Sequence, residues 1–125
     1  LLISDSMQYK IFKFQFSKDW ETVVSKSTWL DLSKEELTPD GGCISSGGRI
    51  FIAIWDGFKV IELDIKGNIV DEFKVPVPRP TNCVLDAKED KLFVTSAYDG
   101  LSSNKRKRYP LSGSIIEVDV KGQRC

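Results

Sequence analysis

Two polar residues occupy matching places in this sequence. Asp40 lies 11 residues before Phe51, Asn82 lies 11 residues before Phe93, and each follows a proline-containing stretch. Carboxylate and amide oxygens that converge on one point suit a hard divalent cation such as Ca²⁺, Mg²⁺ or Mn²⁺. Proline fixes φ ahead of a turn, and Gly41-Gly42 would let the backbone bend closely around whatever Asp40 holds. The alternative is that Asp40 and Asn82 are Asx-turn residues that cap strands.

An internal repeat makes these two positions equivalent. Residues 1–14 align with residues 50–63 without a gap, at a shift of 49. Phe51-Ile-Ala recurs as Phe93-Val-Thr at a shift of 42, and residues 61–67 recur at a shift of 55. The 13 extra residues fall in 101–113, which we expect to be a loop insertion between two strands. A period of about 40 to 50 residues with several strands per unit is typical of propeller blades.

The predicted fold class is therefore all-β, with about three blades of a longer β-propeller and a chain that begins inside a blade. The blades are expected at about 1–30, 38–78 and 80–125, with no second domain. The only helical candidate, 28–37, is expected to be a loop with one turn. The expected strands are 1–6, 9–16 and 20–25 in the first blade, 42–46, 49–55, 58–65 and 68–74 in the second, and 82–86, 91–98 and 114–120 in the third.

Composition excludes several classes of function. The chain has 18 Lys+Arg against 18 Asp+Glu, so we expect neither nucleic acid nor an anionic membrane as its partner. It has no histidine, which excludes His-based triads and His zinc ligands. Cys43, Cys83 and Cys125 are far apart, which argues against a disulfide framework and favours a reducing, cytoplasmic location. No apolar run approaches the roughly 20 residues that a membrane span needs.

Several segments resemble one known family. Residues 38–53 resemble the P-D-G-x-x-x-D-x-x-G-x-[LI]-[WF]-V-A segment of the regucalcin/gluconolactonase family, also called senescence marker proteins. Residues 79–84 followed by 91–96 are similar to its [PT]-T-[NS]-x-x-F…L-Y-V-T-[ST] segment, 109–116 to its P-x-[SA]-G-x-[IL]-[FY] strand, and 2–6 to its Y-x-x-D-S strand. The match runs in order over nearly the whole chain. Ser45 departs from it, because the family pattern has a second Asp there, but that position is not among the family's metal ligands.

The resemblance implies a six-bladed propeller that hydrolyses sugar lactones with one divalent metal ion, Ca²⁺, Zn²⁺, Mg²⁺ or Mn²⁺, in its channel. Asp40 matches the family's P-D-G aspartate, which ligates the metal and can handle a proton during ring opening. Asp40 is thus implied as a metal ligand and a catalytic residue, and Asn82 as a substrate-pocket residue. The other family ligands, a Glu and an Asn, would precede Leu1. We therefore expect the chain to need a missing N-terminal half or a second copy to close the propeller.

The fold alone does not decide the activity, because propellers serve both as enzymes and as binding scaffolds. The alternatives to a lactone hydrolase are a non-catalytic propeller used for binding and a calcium-binding regulatory protein.

Overall fold

The computed structural model describes residues 1–121, and the chain divides into two compact units, Leu1–Pro39 and the part from Asp40 onward. The described residues form three antiparallel sheets and almost no helix, which confirms the all-β prediction. The strands are β1 Leu2–Asp5, β2 Lys10–Phe16, β3 Val23–Asp31, β4 Thr38–Ile44, β5 Ile50–Trp55, β6 Lys59–Leu63, β7 Ile69–Lys74, β8 Pro80–Leu85, β9 Lys91–Ser96 and β10 Ile116–Asp119; the helices are a 3-10 turn, Ser6–Gln8, and α1 Ser103–Arg108.

The first unit contains one three-stranded sheet in the order β1-β2-β3. In β2, Phe12, Phe14 and Phe16 are half-buried while Lys13 and Gln15 between them are exposed, the alternation of a strand with one covered face. The 3-10 turn connects β1 to β2: the Asp5 carboxylate accepts a hydrogen bond from the Gln8 N–H at 3.1 Å, and the chain then enters β2. These two strands lie where the sequence predicts them.

The third strand of this unit is longer and begins later than predicted. A strand was expected at 20–25 and a loop at 28–37, whereas β3 runs from Val23 to Asp31 and pairs along the whole of β2. The connection before it is a tight turn, in which the Ser17 N–H donates to the Thr22 carbonyl at 2.8 Å and Trp20 takes a φ of 63°. Because that φ is left-handed, Trp20 cannot belong to a strand. The strand therefore begins only after the turn closes.

The second unit contains a four-stranded sheet, β4-β5-β6-β7, and a three-stranded sheet, β8-β9-β10. Five of the six residues of β5 are buried, because β5 has strands on both edges and packs against β8 of the other sheet. A single core cluster draws on both sheets and on the segment that connects them. Its buried members are Phe51, Val60, Phe73, Val75, Val77, Cys83, Leu92, Val94, Val118 and Val120.

The edge strands β4 and β8 begin earlier than the sequence predicts. Strands were expected at 42–46 and 82–86, after the prolines, but β4 and β8 include Pro39 and Pro80. Proline cannot donate a hydrogen bond to a neighbouring strand, and an edge strand tolerates this loss on its open side. Asp40 and Asn82 consequently lie within strands rather than in the turns before them, so they are not Asx-turn residues at the strand starts.

The insertion at 101–113 lies between β9 and β10, as predicted, and contains α1. The Ser102 hydroxyl caps this helix by accepting a hydrogen bond from the Lys105 N–H at 3.3 Å. The Arg106 guanidinium donates to the Leu101 carbonyl at 2.9 Å and lies over the Tyr98 ring. Among residues 1–121, no helix has the length and apolar character to span a membrane.

Candidate functional site

The structure brings the two sequence-predicted site residues to neighbouring strands of the second unit. Asp40 is the third residue of β4, and Asn82 is the third residue of β8. A methyl group added to Gly41 would lie 2.5 Å from Cγ and 2.6 Å from Oδ1 of Asn82, so the Asn82 side chain lies directly against the Gly41 backbone. A side chain at position 41 would displace the Asn82 side chain, so glycine there allows the Asn82 amide to lie against the residue next to Asp40.

The Asp40 carboxyl group is half-buried, and this burial changes its protonation. Burial raises its pKa because the charged form loses hydration, whereas a hydrogen bond from the Gly41 N–H lowers the pKa in part. The net direction is upward. A cation placed beside this carboxylate would favour the charged form and offset the lost hydration, so the environment of Asp40 suits a cation ligand.

The Asn82 side chain is exposed, and its amide has a defined orientation. Its Oδ1 accepts a hydrogen bond from the N–H of Cys83 at 2.8 Å, which directs the amide oxygen toward its own strand. The NH₂ group then has two N–H donors available for the oxygen atoms of a ligand. The pocket role of Asn82 stays a prediction, and it would use these N–H donors.

The Gly41-Gly42 pair has a different purpose from the one predicted. Both glycines lie inside β4, and neither has a positive φ, so they do not form a sharp bend around Asp40. A methyl group on Gly42 would lie 2.1 Å from the carbonyl oxygen of Phe51 in β5. The two glycines therefore allow β4 to approach β5 on one side and Asn82 of β8 on the other.

The departure at Ser45 is explained by the turn that follows β4. The Ser45 hydroxyl accepts a hydrogen bond from the Arg49 N–H at 2.9 Å and so closes the β4–β5 turn. Asp86 closes the β8–β9 turn in a similar way, because its carboxylate accepts hydrogen bonds from the N–H groups of Asp90 and Lys91. Position 45 thus belongs to a turn, consistent with its separation from the proposed metal ligand.

The described residues hold no group of three or more Cys, Asp or Glu side chains that could bind a metal ion by themselves. Asp40 therefore contributes a single carboxylate, and Asn82 contributes an amide beside it.

Sequence reasoning did not identify Arg79 as important to this region. Its guanidinium donates to the Asp56 carboxylate at 2.8 Å, stacks over the Trp55 ring at 4.7 Å and reaches the Asp99 carbonyl at 3.1 Å. Arg79 comes directly before β8, so these contacts hold the start of the strand that carries Asn82. No local sequence pattern predicts these contacts, because the partners of Arg79 are 20 or more residues away in sequence.

Comparison with known proteins identifies the family of this chain. Residues 1–98 match the family model described as the SMP-30/Gluconolactonase/LRE-like region. Regucalcin of Gallus gallus is 32% identical over 116 residues, an alignment that covers 91% of this chain and 39% of that protein. The chain thus spans about two fifths of the length of the curated relatives it matches.

Two solved structures have a similar fold. The calcium-binding protein regucalcin from Agrobacterium tumefaciens has a TM-score of 0.82 and 21% identity over 94% of this chain and 42% of its own. A luciferin-regenerating enzyme has a TM-score of 0.80 and 21% identity over 97% of this chain and 41% of its own. The likeness confirms the predicted propeller fold, in its six-bladed form, of which this chain covers part.

Proposed function

Because this chain belongs to the SMP-30/gluconolactonase/LRE-like family, we propose that it is part of a metal-dependent hydrolase that opens sugar lactones. The observation that carries the proposal is the half-buried Asp40 carboxylate, whose pKa is raised by burial. The Asn82 amide lies against Gly41, the residue that follows Asp40. The carboxylate would bind a cation, and the neighbouring amide would donate hydrogen bonds to a polar substrate.

The residues present fit a hard divalent ion in part. Carboxylate oxygen is the ligand that Ca²⁺, Mg²⁺ and Mn²⁺ prefer, and Zn²⁺ also accepts it. Asp40 would hold the ion, and since the described residues offer no cluster of three such side chains, the remaining ligands would come from outside residues 1–121. When bound, a divalent ion supplies Lewis-acid polarisation of an ester carbonyl.

The chain's own groups would divide the remaining work. The ionised Asp40 carboxylate would orient the attacking water or accept its proton. The Asn82 NH₂ group would donate hydrogen bonds to the ring or hydroxyl oxygens of the lactone and so orient it. Ring opening by water needs no histidine in this scheme, in agreement with the composition.

The second candidate is a calcium-binding regulatory protein or a binding scaffold without catalysis. Two observations favour it: a structural relative is described as calcium-binding, and the described residues contain one candidate carboxylate ligand rather than a full set. In this case Asp40 would still hold the ion, but its removal would change no hydrolytic rate.

The test is lactone hydrolysis, followed by proton release with and without added divalent metal, in a full-length protein that contains these residues. Asp40→Asn should lower the metal-dependent rate by about 100-fold or more, the usual size of a lost acid–base group. Asp99→Asn, the same change at an exposed aspartate of the β9–α1 loop, should leave the rate unchanged. A hydrolytic rate retained in Asp40→Asn would refute the catalytic role, and metal binding without any hydrolysis in the unmodified protein would favour the regulatory candidate.

A further inference from the structure

Two cysteines lie together on the strands that carry the candidate site. Cys43 is on β4, three residues after Asp40, and Cys83 is on β8, directly after Asn82. Cys83 is a buried member of the core cluster of the second unit, and the half-buried Cys43 packs against that cluster. The two residues are 40 positions apart in sequence and belong to different sheets, so the fold alone brings them together.

The two strands meet at one backbone atom of β5. The Cys83 thiol donates a hydrogen bond to the Phe51 carbonyl oxygen at 3.6 Å, and the glycine before Cys43 lies against that same oxygen. Because position 42 has no side chain, β4 can come close enough for the Cys43 thiol to reach Cys83.

The thiols interact with each other and differ in reactivity. The contact between the two thiol groups lowers the pKa of Cys43, and a hydrogen bond from the N–H of Leu85 lowers it further. The same thiol pair and burial raise the pKa of Cys83. The thiolate is the form that attacks a disulfide, so Cys43, which is also the more exposed of the two, is the expected nucleophile.

We propose that Cys43 and Cys83 are a modification site at which a reversible disulfide joins β4 to β8 beside Asp40 and Asn82. The oxidant would be a low-molecular-weight disulfide such as oxidised glutathione. The Cys43 thiolate attacks one sulfur of this oxidant, which forms a mixed disulfide and releases one thiolate. Cys83 then loses its proton and attacks the Cys43 sulfur, which releases the second thiolate. The protein loses two protons and two electrons, and the oxidant is reduced to two thiols.

The experiment uses the 125-residue chain with Cys125→Ser, which removes the third thiol as a competitor. The folded protein is treated with oxidised glutathione, alkylated and digested with trypsin without reduction. The tryptic peptides are 35–49, which contains Cys43, and 75–88, which contains Cys83. The expected product is these two peptides linked, with a mass about 2 Da below their sum, and dithiothreitol should separate them. Absence of the linked pair from the folded protein, or its formation only in urea, would overturn the proposal.

Two single variants in the same background test the order of attack and guard against misfolding. In Cys83→Ala, the glutathione adduct on Cys43 should form and persist, because no second thiol resolves it. In Cys43→Ala, the buried Cys83 should stay unmodified while the protein is folded and react only in urea. An adduct that forms equally fast on either single cysteine in the folded state would contradict the assigned roles. Circular dichroism of each variant verifies that the sheets are retained.

Discussion

The two units of this chain use similar strands in very different environments. In the first unit, β3 has six exposed residues in succession, and Ile11 is the buried residue of β2. In the second unit, β5 and β6 are almost entirely buried, because two sheets share one core. The candidate ligand, the pocket amide and the cysteine pair all lie in the second unit. The comparison teaches that the site depends on packing between sheets, which a single sheet cannot provide.

The largest expected difference between the units is in the free energy of unfolding that is lost when a phenylalanine is replaced by alanine. Phe51 in β5 is fully buried and packs against Phe73 with ring centroids 6.0 Å apart. Phe51→Ala should lower the free energy of unfolding by about 3–5 kcal/mol, because it leaves a cavity in the shared core. The matched change in the first unit, Phe14→Ala at a half-buried position of β2, should cost about 1 kcal/mol. Urea unfolding at pH 7 measures both values, and equal losses would contradict the contrast between the units.

The next effect concerns the close approach at the candidate site. Gly41→Ala places a methyl group within 2.6 Å of two Asn82 atoms, so either Asn82 or β4 must move. We expect a loss of about 1–3 kcal/mol in the free energy of unfolding, the usual cost of overpacking. Gly47→Ala is the control, because the nearest atom to its added methyl group, the Ser45 hydroxyl oxygen, is 3.9 Å away. A Gly41→Ala protein as stable as the Gly47→Ala protein would contradict tight packing of Asn82 against position 41.

The smallest expected effects are changes in the stability of the fold with pH, which have opposite signs for two carboxylates. In the second unit, burial raises the pKa of Glu62, which is 3.3 Å from the Arg49 guanidinium. In the first unit, hydrogen bonds from the Ser33 hydroxyl and N–H lower the pKa of the exposed Asp31. The folded state thus binds a proton more tightly at Glu62 and less tightly at Asp31 than the unfolded state does.

The sign of each dependence follows from these directions. As the pH rises from the unfolded Glu pKa, near 4.5, through the higher folded value, ionised Glu62 progressively destabilises the fold. Asp31 stabilises the fold above its unfolded pKa, near 3.8, and this contribution is lost as the pH falls through the lower folded value. Relative to the unmodified chain, Glu62→Gln should therefore gain stability as the pH rises, and Asp31→Asn should lose it. Urea unfolding from about pH 2 to about pH 7, which extends below the unfolded Asp pKa and above the unfolded Glu pKa, is the measurement, and slopes of the same sign would contradict the assignment.

The repeat and most of the strands could be predicted from the sequence because they depend on local patterns. Short runs of β-branched and aromatic residues predict strands such as β5 and β9. The shift of 55 residues between repeats located the insertion that contains α1. The start of β4 was missed because Pro39 is a local signal against a strand, and only the position of β4 at a sheet edge makes proline tolerable there.

The roles of Asp40 and Asn82 stay predictions, and only part of the geometry around them could be foreseen from the sequence. Asp40 and Asn82 could be paired by their equal spacing from Phe51 and Phe93, but their actual contact is made through Gly41. The hydrogen bond that orients the Asn82 amide, the three contacts of Arg79 and the proximity of Cys43 to Cys83 all depend on how the second unit folds. Such contacts between distant residues leave no periodic signal in one sequence.

The central claim is that the Asp40 carboxylate holds a divalent cation, and calorimetric titration with Ca²⁺, Mg²⁺, Mn²⁺ and Zn²⁺ tests it most directly. In a full-length protein that contains these residues, we expect one ion to bind, and Asp40→Asn to weaken its affinity by about 100-fold or more. Asp99→Asn should leave the affinity unchanged. An Asp40→Asn protein that binds the ion as tightly as the unmodified protein would contradict the account.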